Sequence, residues 1–205
     1  GNTTTNGVTV KVAQGDFTTG NANVAAVEVG WDHSCGNQGG KLRCWGEGDD
    51  GRLGNGSTSD ALTPTNVNVT ADFLNAGFVT AFSAGDKHTC AAESGKLFCW
   101  GGNSSGQLGN GTNTGATTPS VVSPSDIAGF MVPMNANVTS VSAGETHTCA
   151  IENMVVYCWG GNFNSQLGIG QLFGPAPTKP TKVFVLSAPA AASINSVSAG
   201  SGSLN

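Results

Sequence analysis

Charge is what this sequence has least of. Only 10% of its 205 residues are charged, and 8 Lys and Arg stand against 13 Asp and Glu. A surface for nucleic-acid phosphate needs clustered cations to displace counterions, so a net charge of −5 with scattered basic residues excludes that class of partner. No apolar run approaches the roughly 18 residues of a membrane-spanning helix. Nor does any stretch carry an apolar stripe of period 3.6 long enough for a substantial helix. Position 1 is Gly1, without Met or an apolar signal segment, and the expectation is a processed chain or a piece of a longer polypeptide. Against these absences stand 31 glycines, a surplus of Asn, Ser and Thr, and 38% hydrophobic residues, enough for a core. That balance belongs to a β-rich, loop-rich protein.

The chain is self-similar. Val24 to Gly30 reads VAAVEVG, Val79 to Gly85 VTAFSAG, Val138 to Gly144 VTSVSAG, and Ile194 to Gly200 INSVSAG, so the closing glycines recur after 55, 59 and 56 residues. Three residues beyond each of the first three glycines come His33, His88 and His147, and five beyond come Cys35, Cys90 and Cys149. Nine residues later stand Cys44, Cys99 and Cys158, each followed by Trp-Gly at Trp45, Trp100 and Trp159, and Leu-Gly follows eight residues after each Trp. Short segments rich in Val, Thr and Phe between glycine clusters make each unit a set of strands, and a period of this length built from strands is that of a propeller blade. The expected divisions are an arm at 1–23, repeats at 24–78, 79–137 and 138–193, and the start of a fourth at 194–205.

The pattern Val-x-x-Val-Ser-Ala-Gly-x-x-His-Thr-Cys-Ala, then Tyr/Phe-Cys-Trp-Gly-x-Asn, then Gln-Leu-Gly-x-Gly resembles the regulator of chromosome condensation repeat over residues 24 to 200. The resemblance implies an all-β fold, a β-propeller or an open segment of one, with four-stranded blades: three complete and a fourth partial. Kelch repeats share the period and the Gly-Gly pairs, here Gly101-Gly102 and Gly160-Gly161, but leave the recurring His-x-Cys and Leu-Gly-x-Gly unexplained.

The cysteine spacing places each pair on a hairpin. Directly opposed residues in an antiparallel pair have a constant position sum, so the three hairpins turn on Gly39-Gly40, Ser94-Gly95 and Asn153-Met154. The first two suit a primed two-residue turn, which needs positive φ, and Met154 suits it less. Counting outward, the cysteines fall at non-hydrogen-bonded positions, where side chains approach most closely. Disulfides Cys35–Cys44, Cys90–Cys99 and Cys149–Cys158 are the preferred reading, with free buried thiols and a metal site formed with the neighbouring His as alternatives. Disulfides persist in oxidising compartments, so the expected location is extracellular or at the cell surface.

His33, His88 and His147 read as structural rings that hydrogen-bond a backbone carbonyl of a glycine-rich turn. Trp45, Trp100 and Trp159 alternate with the cysteines, face the other side of the sheet, and are expected to pack between blades, with carbohydrate stacking as the alternative. Trp31 lies outside the repeat and is expected to be exposed. Asp49-Asp50 lacks a ligand ladder for calcium and reads as a solvated loop. Six Asn-x-Ser/Thr sequons make Asn2, Asn55, Asn68, Asn103, Asn110 and Asn137 glycosylation candidates. No metal or cofactor is expected.

The fourth repeat departs from the pattern, with Ser203 at the His position and Asn205 at the Cys position. Val8 to Val12 alternates in the manner of a half-buried strand. That spare strand and an unfinished one at Ile194 to Ala199 suggest head-to-tail assembly into a ring or filament through terminal strands, or equally that further blades lie outside the sequence. No G-x-S-x-G elbow or catalytic carboxylate pair is present, and the leading function is a non-enzymatic module for protein binding or structural assembly. A carbohydrate-binding or inhibitor-like propeller is the alternative, and the guanine-nucleotide exchange known within the family is less favoured, because fold alone carries no function.

Overall fold

The computed structural model describes residues 24–68, 70, 78–122, 137–171, 175–183 and 196–200. The arm at 1–23 with its Val8 to Val12 segment and Asn2, Ile194, and 201–205 with Ser203 and Asn205 lie outside the described residues. Among the described residues, twelve strands form three antiparallel sheets in simple meander order. The first blade holds β1 (Val24–Val29), β2 (His33–Gln38), β3 (Lys41–Gly46) and β4 (Ala61–Asn66). The second holds β5 (Val79–Ala84), β6 (His88–Glu93), β7 (Lys96–Gly101) and β8 (Ala116–Val121). The third holds β9 (Val138–Ala143), β10 (His147–Glu152), β11 (Val155–Gly160) and the short β12 (Thr181–Lys182). The described residues therefore form three four-stranded propeller blades.

Each central hairpin is set by its turn. Gly39-Gly40, Ser94-Gly95 and Asn153-Met154 all have positive φ at both positions, the geometry whose twist matches that of the flanking strands. Met154 therefore sits in the left-handed region at φ 64°, against its own preference. The β10–β11 register holds it there, with six successive pairs from His147↔Gly160 to Glu152↔Val155. Counted from these turns, Cys35↔Cys44, Cys90↔Cys99 and Cys149↔Cys158 are directly opposed, and each pair is bonded, with S–S distances of 2.11, 2.09 and 2.04 Å.

The core lies between blades rather than within them. The Cys35–Cys44 disulfide, Leu42, Leu53 and Val67 of the first blade pack on Phe82, Phe98 and Trp100 of the second. The Cys90–Cys99 disulfide, Leu97 and Leu108 then pack on Val138, Val141 and Trp159 of the third. One face of every sheet thus presents a disulfide and the other a tryptophan, as alternation along a strand requires. The segment 196–200 follows the third blade where the sequence suggests an inner strand at Ile194 to Ala199. Its described residues carry no strand; Ala199 N–H bonds Ser142 Oγ at 2.7 Å and Val197 packs beside the third disulfide.

Candidate functional site

The histidines begin β2, β6 and β10, three residues after the glycine that follows each inner strand, and are buried there. His33 Nε2 lies 2.8 Å from Thr89 Oγ1 of the next blade, and that hydroxyl donates to the Arg52 carbonyl, also at 2.8 Å. The second junction repeats the arrangement: His88 Nε2 to Thr148 Oγ1 at 2.8 Å, and Thr148 Oγ1 to the Gln107 carbonyl at 2.8 Å. A hydroxyl has one proton, and here the carbonyl takes it, so the imidazole must donate from Nε2. The rings therefore bond a threonine of the neighbouring blade, and the backbone carbonyl expected from the sequence is reached one step further on. Nδ1 of His33 and of His88 is buried without a protein partner.

Burial, reinforced by the Arg52 charge, lowers the His33 pKa to about 4. Burial and then the two flanking histidines lower that of His88 to about 3. His147 is lowered by burial against the opposing effect of Glu145. His33 and His88 are thus neutral rings at ordinary pH, each locked in one tautomer by a bond between blades.

The tryptophans close the same junctions. Trp100 Nε1 donates to the Arg52 carbonyl at 3.0 Å and Trp159 Nε1 to the Gln107 carbonyl at 2.9 Å, and both rings are fully buried. The recurring Leu-Gly has its reason here, because a Cβ at Gly54 would meet the Trp100 indole nitrogen. Trp45, at the matching position of the first blade, is only half-buried. Arg52 is itself buried, its guanidinium paired with the partly exposed carboxylates of Glu47 and of Asp50 at 3.7 Å and donating to the Asp49 and Asp86 carbonyls. The Asp49–Gly51 turn is a short 3-10 element on the loop that carries Arg52.

The sequons divide by burial. Asn103 is 2% exposed, with its amide donating to the carbonyls of Thr112 and Thr114 and its oxygen accepting from Leu108 N–H, so it organises the loop and is closed to a glycan in the folded chain. Asn55 and Asn110 are half-buried, each accepting a backbone N–H two residues on, while Asn68 and Asn137 are exposed. With the cysteines joined in pairs, no thiolate is available, and no group of three or more His, Cys, Asp or Glu among the described residues is arranged to hold a metal ion.

Departures from the repeat gather instead where the inner strands end. Ser83 Oγ accepts from Ala143 N–H at 3.1 Å, and Ser142 Oγ from Ala199 N–H, yet β1 carries Glu28 at this position. Glu28, Trp31, Ser83, Asp86, Ser142 and Ser198 are among the residues walling a cleft of about 270 Å³. A groove of about 570 Å³ continues along the inner strands, again bordered by Glu28. Desolvation raises the Glu28 pKa above the usual carboxylate range. Trp31 is 59% exposed. Sequence reasoning singled out Trp31 but neither Glu28 nor the bridging Thr89 and Thr148. Glu28 was signalled by a carboxylate standing where three other repeats have serine.

The regulator of chromosome condensation (RCC1) repeat matches residues 40–92 and 94–151, a frame that runs from one hairpin turn to the next and so joins the outer half of one blade to the inner half of the following one. The ultraviolet-B receptor UVR8 of Arabidopsis thaliana is 35% identical over 156 residues, covering 75% of this chain and 33% of that protein. The mitochondrial RCC1 domain-containing protein RUG3 of the same plant is 30% identical over 159 residues, with 74% and 33% covered. The chain thus spans about a third of the length of these relatives. Among solved structures, yeast RCC1 (Prp20) bound to Kap60 superposes with a TM-score of 0.67 at 23% identity, covering 90% of this chain and 41% of that one. With two consecutive repeats matched and the same bonding recurring at each blade junction, the chain belongs to the regulator of chromosome condensation repeat family.

Proposed function

We propose that the chain is a non-enzymatic propeller module that binds a protein partner on the face where the inner strands end, in an oxidising, extracellular-type setting. The observation that carries this reading is where the reactive side chains go. His33, His88, Trp100 and Trp159 are committed to bonds between blades and the cysteines to disulfides, while Trp31, Glu28 and Asp86 face a cleft. The solved yeast relative whose binding to Gsp1p and histones was studied is a precedent for proteins as partners of this fold. The three disulfides support the compartment. The divisions at 24–78, 79–137 and 138–193 serve as blade units in this reading.

Amine-reactive cross-linking in extracts of the producing cells tests it. Exposed Lys87 lies at the cleft end of the second blade, whereas Lys41 and Lys96 flank the hairpin turns at the opposite end. Cross-links to other proteins concentrated at Lys87 are expected, and links confined to Lys41 and Lys96 refute the reading. Alkylation of native material without reductant should leave the six cysteines unmodified, and free thiols there refute the compartment.

A second reading is favoured by β1. All six of its residues are exposed, with Val24, Val27 and Val29 at 41%, 43% and 61%, whereas β5 and β9 are largely buried at the equivalent places. Such a face suits a further blade, from the same polypeptide or a second copy. Sedimentation of the chain by itself as a concentration-independent monomer excludes the second copy.

A further inference from the structure

The inner-strand position after the conserved valine or phenylalanine of the repeat is serine in three repeats, and at Ser83 and Ser142 the hydroxyl stitches one blade to the next. Glu28 breaks that pattern. Its carboxylate has no ion-pair partner among the described residues, and the walls of the cleft desolvate it enough to raise its pKa. It borders both the cleft of about 270 Å³ and the groove of about 570 Å³, and it is the one charged residue among those lining the groove. An unpaired carboxylate facing a cleft favours a cation there.

Two neighbours define what kind of cation. Asp86, from the next blade, stands in the same cleft and likewise lacks an ion-pair partner among the described residues. Trp31 occupies in the first blade the place that Asp86 and Glu145 occupy in the second and third. Its indole is exposed, but its backbone is pinned by donation of its N–H to the Gly85 carbonyl at 3.2 Å. A ring carried on a fixed backbone has only its side-chain torsions to lose on binding, which lowers the entropic cost. A tryptophan face beside two carboxylates matches a long cationic side chain, whose methylenes and charged head lie against the ring while the head reaches the acids. The cleft has room for a side chain or a short turn of peptide, not for a folded domain.

We propose that this cleft takes a lysine or arginine side chain of a protein partner, with Glu28 as the anchoring charge, Asp86 as the second acceptor and Trp31 as the stacking surface. The proposal rests on the protein-binding reading above and names the chemistry of its partner.

The test uses the whole chain and fluorescence anisotropy of labelled peptides carrying one lysine, one arginine, one glutamine or one glutamate in an otherwise identical glycine-serine background, with chitotetraose as a competitor. The lysine and arginine peptides are expected to bind, and to bind more weakly as salt is raised. Glu28→Ser installs the residue of the other repeats, so the blade should melt as in the parent, and affinity should fall about tenfold. Glu28→Asp should retain part of the affinity and Trp31→Ala should lower it. Asp49→Asn, which removes an equal charge from an exposed loop outside the cleft, should change nothing. Basic peptides that fail to bind, Glu28→Ser binding as the parent does, or Asp49→Asn losing as much as Glu28→Ser each overturn the proposal. So does chitotetraose displacing the peptides with dependence on Trp31 but not Glu28, which would assign the cleft to a glycan. If the peptides fail while Lys87 cross-links to partners persist, the cationic specificity is wrong and the protein-binding reading stands; absence of both removes both.

Discussion

Thr89 and Thr148 hold the junctions together by having a single proton each. Thr148 gives its proton to the Gln107 carbonyl and takes one from His88, so both neighbours depend on it. Thr148→Val keeps the shape and removes both bonds, leaving the His88 N–H buried; a loss of about 2 to 3 kcal/mol in denaturant unfolding is expected, and Thr148→Ser should restore most of it. Burial of the same rings sets a pH dependence. In the unfolded chain each histidine takes a proton near pH 6.5, but His33 resists until about pH 4 and His88 until about pH 3. Depressed folded pKa values mean that stability is complete above about pH 6.5 and is lost as pH falls toward 4 and then 3, on the order of 3 kcal/mol for His33 alone. Urea midpoints that stay level from pH 7 down to 4 would refute the neutral buried rings. At the third hairpin, Met154 is 70% exposed at φ 64° and contributes strain without packing, so Met154→Gly should raise stability by about 0.5 to 1 kcal/mol, read as a higher melting temperature.

At the scale of the strand and hairpin, much of the structure was legible beforehand because it is local. The cysteine pairing followed from turn position and strand alternation, both of which depend on residues within ten positions of each other. The placing of Trp100 and Trp159 between blades followed from the same alternation. What was not legible joins residues in different blades: Thr89 meets His33 across 56 positions and Thr148 meets His88 across 60, and no spacing rule within one repeat reveals them. Asn103 looked like a modification site because a sequon is a three-residue pattern, whereas its burial is decided by carbonyls nine and eleven residues away. The two kinds of tryptophan make a test of the blade packing. Trp100→Ala should cost about 3 to 5 kcal/mol, and Trp45→Ala, at the half-buried position, distinctly less. Equal losses would mean that the first blade is covered in solution as the second is.

At the scale of the whole molecule, adjacent blades also touch through main chain alone. Trp31 N–H bonds the Gly85 carbonyl and Asp86 N–H the Gly144 carbonyl, both at 3.2 Å, and a Cβ on Gly30 or Gly85 would collide with the carbonyl opposite. Gly85→Ala should therefore be far more damaging than an alanine at an exposed loop position, and a circular dichroism melt within a few degrees of the parent would show that the contact yields. Where the blades converge, the angle between them is fixed by two peptide groups with no side chain to lengthen, shorten or rotate. Curvature is then a constant of the scaffold, indifferent to which residues decorate it. Substitutions a residue or two away, such as glutamate for serine at position 28 or tryptophan at 31, can accumulate without bending the arc, and that freedom is what lets one blade acquire a chemistry that its neighbours lack.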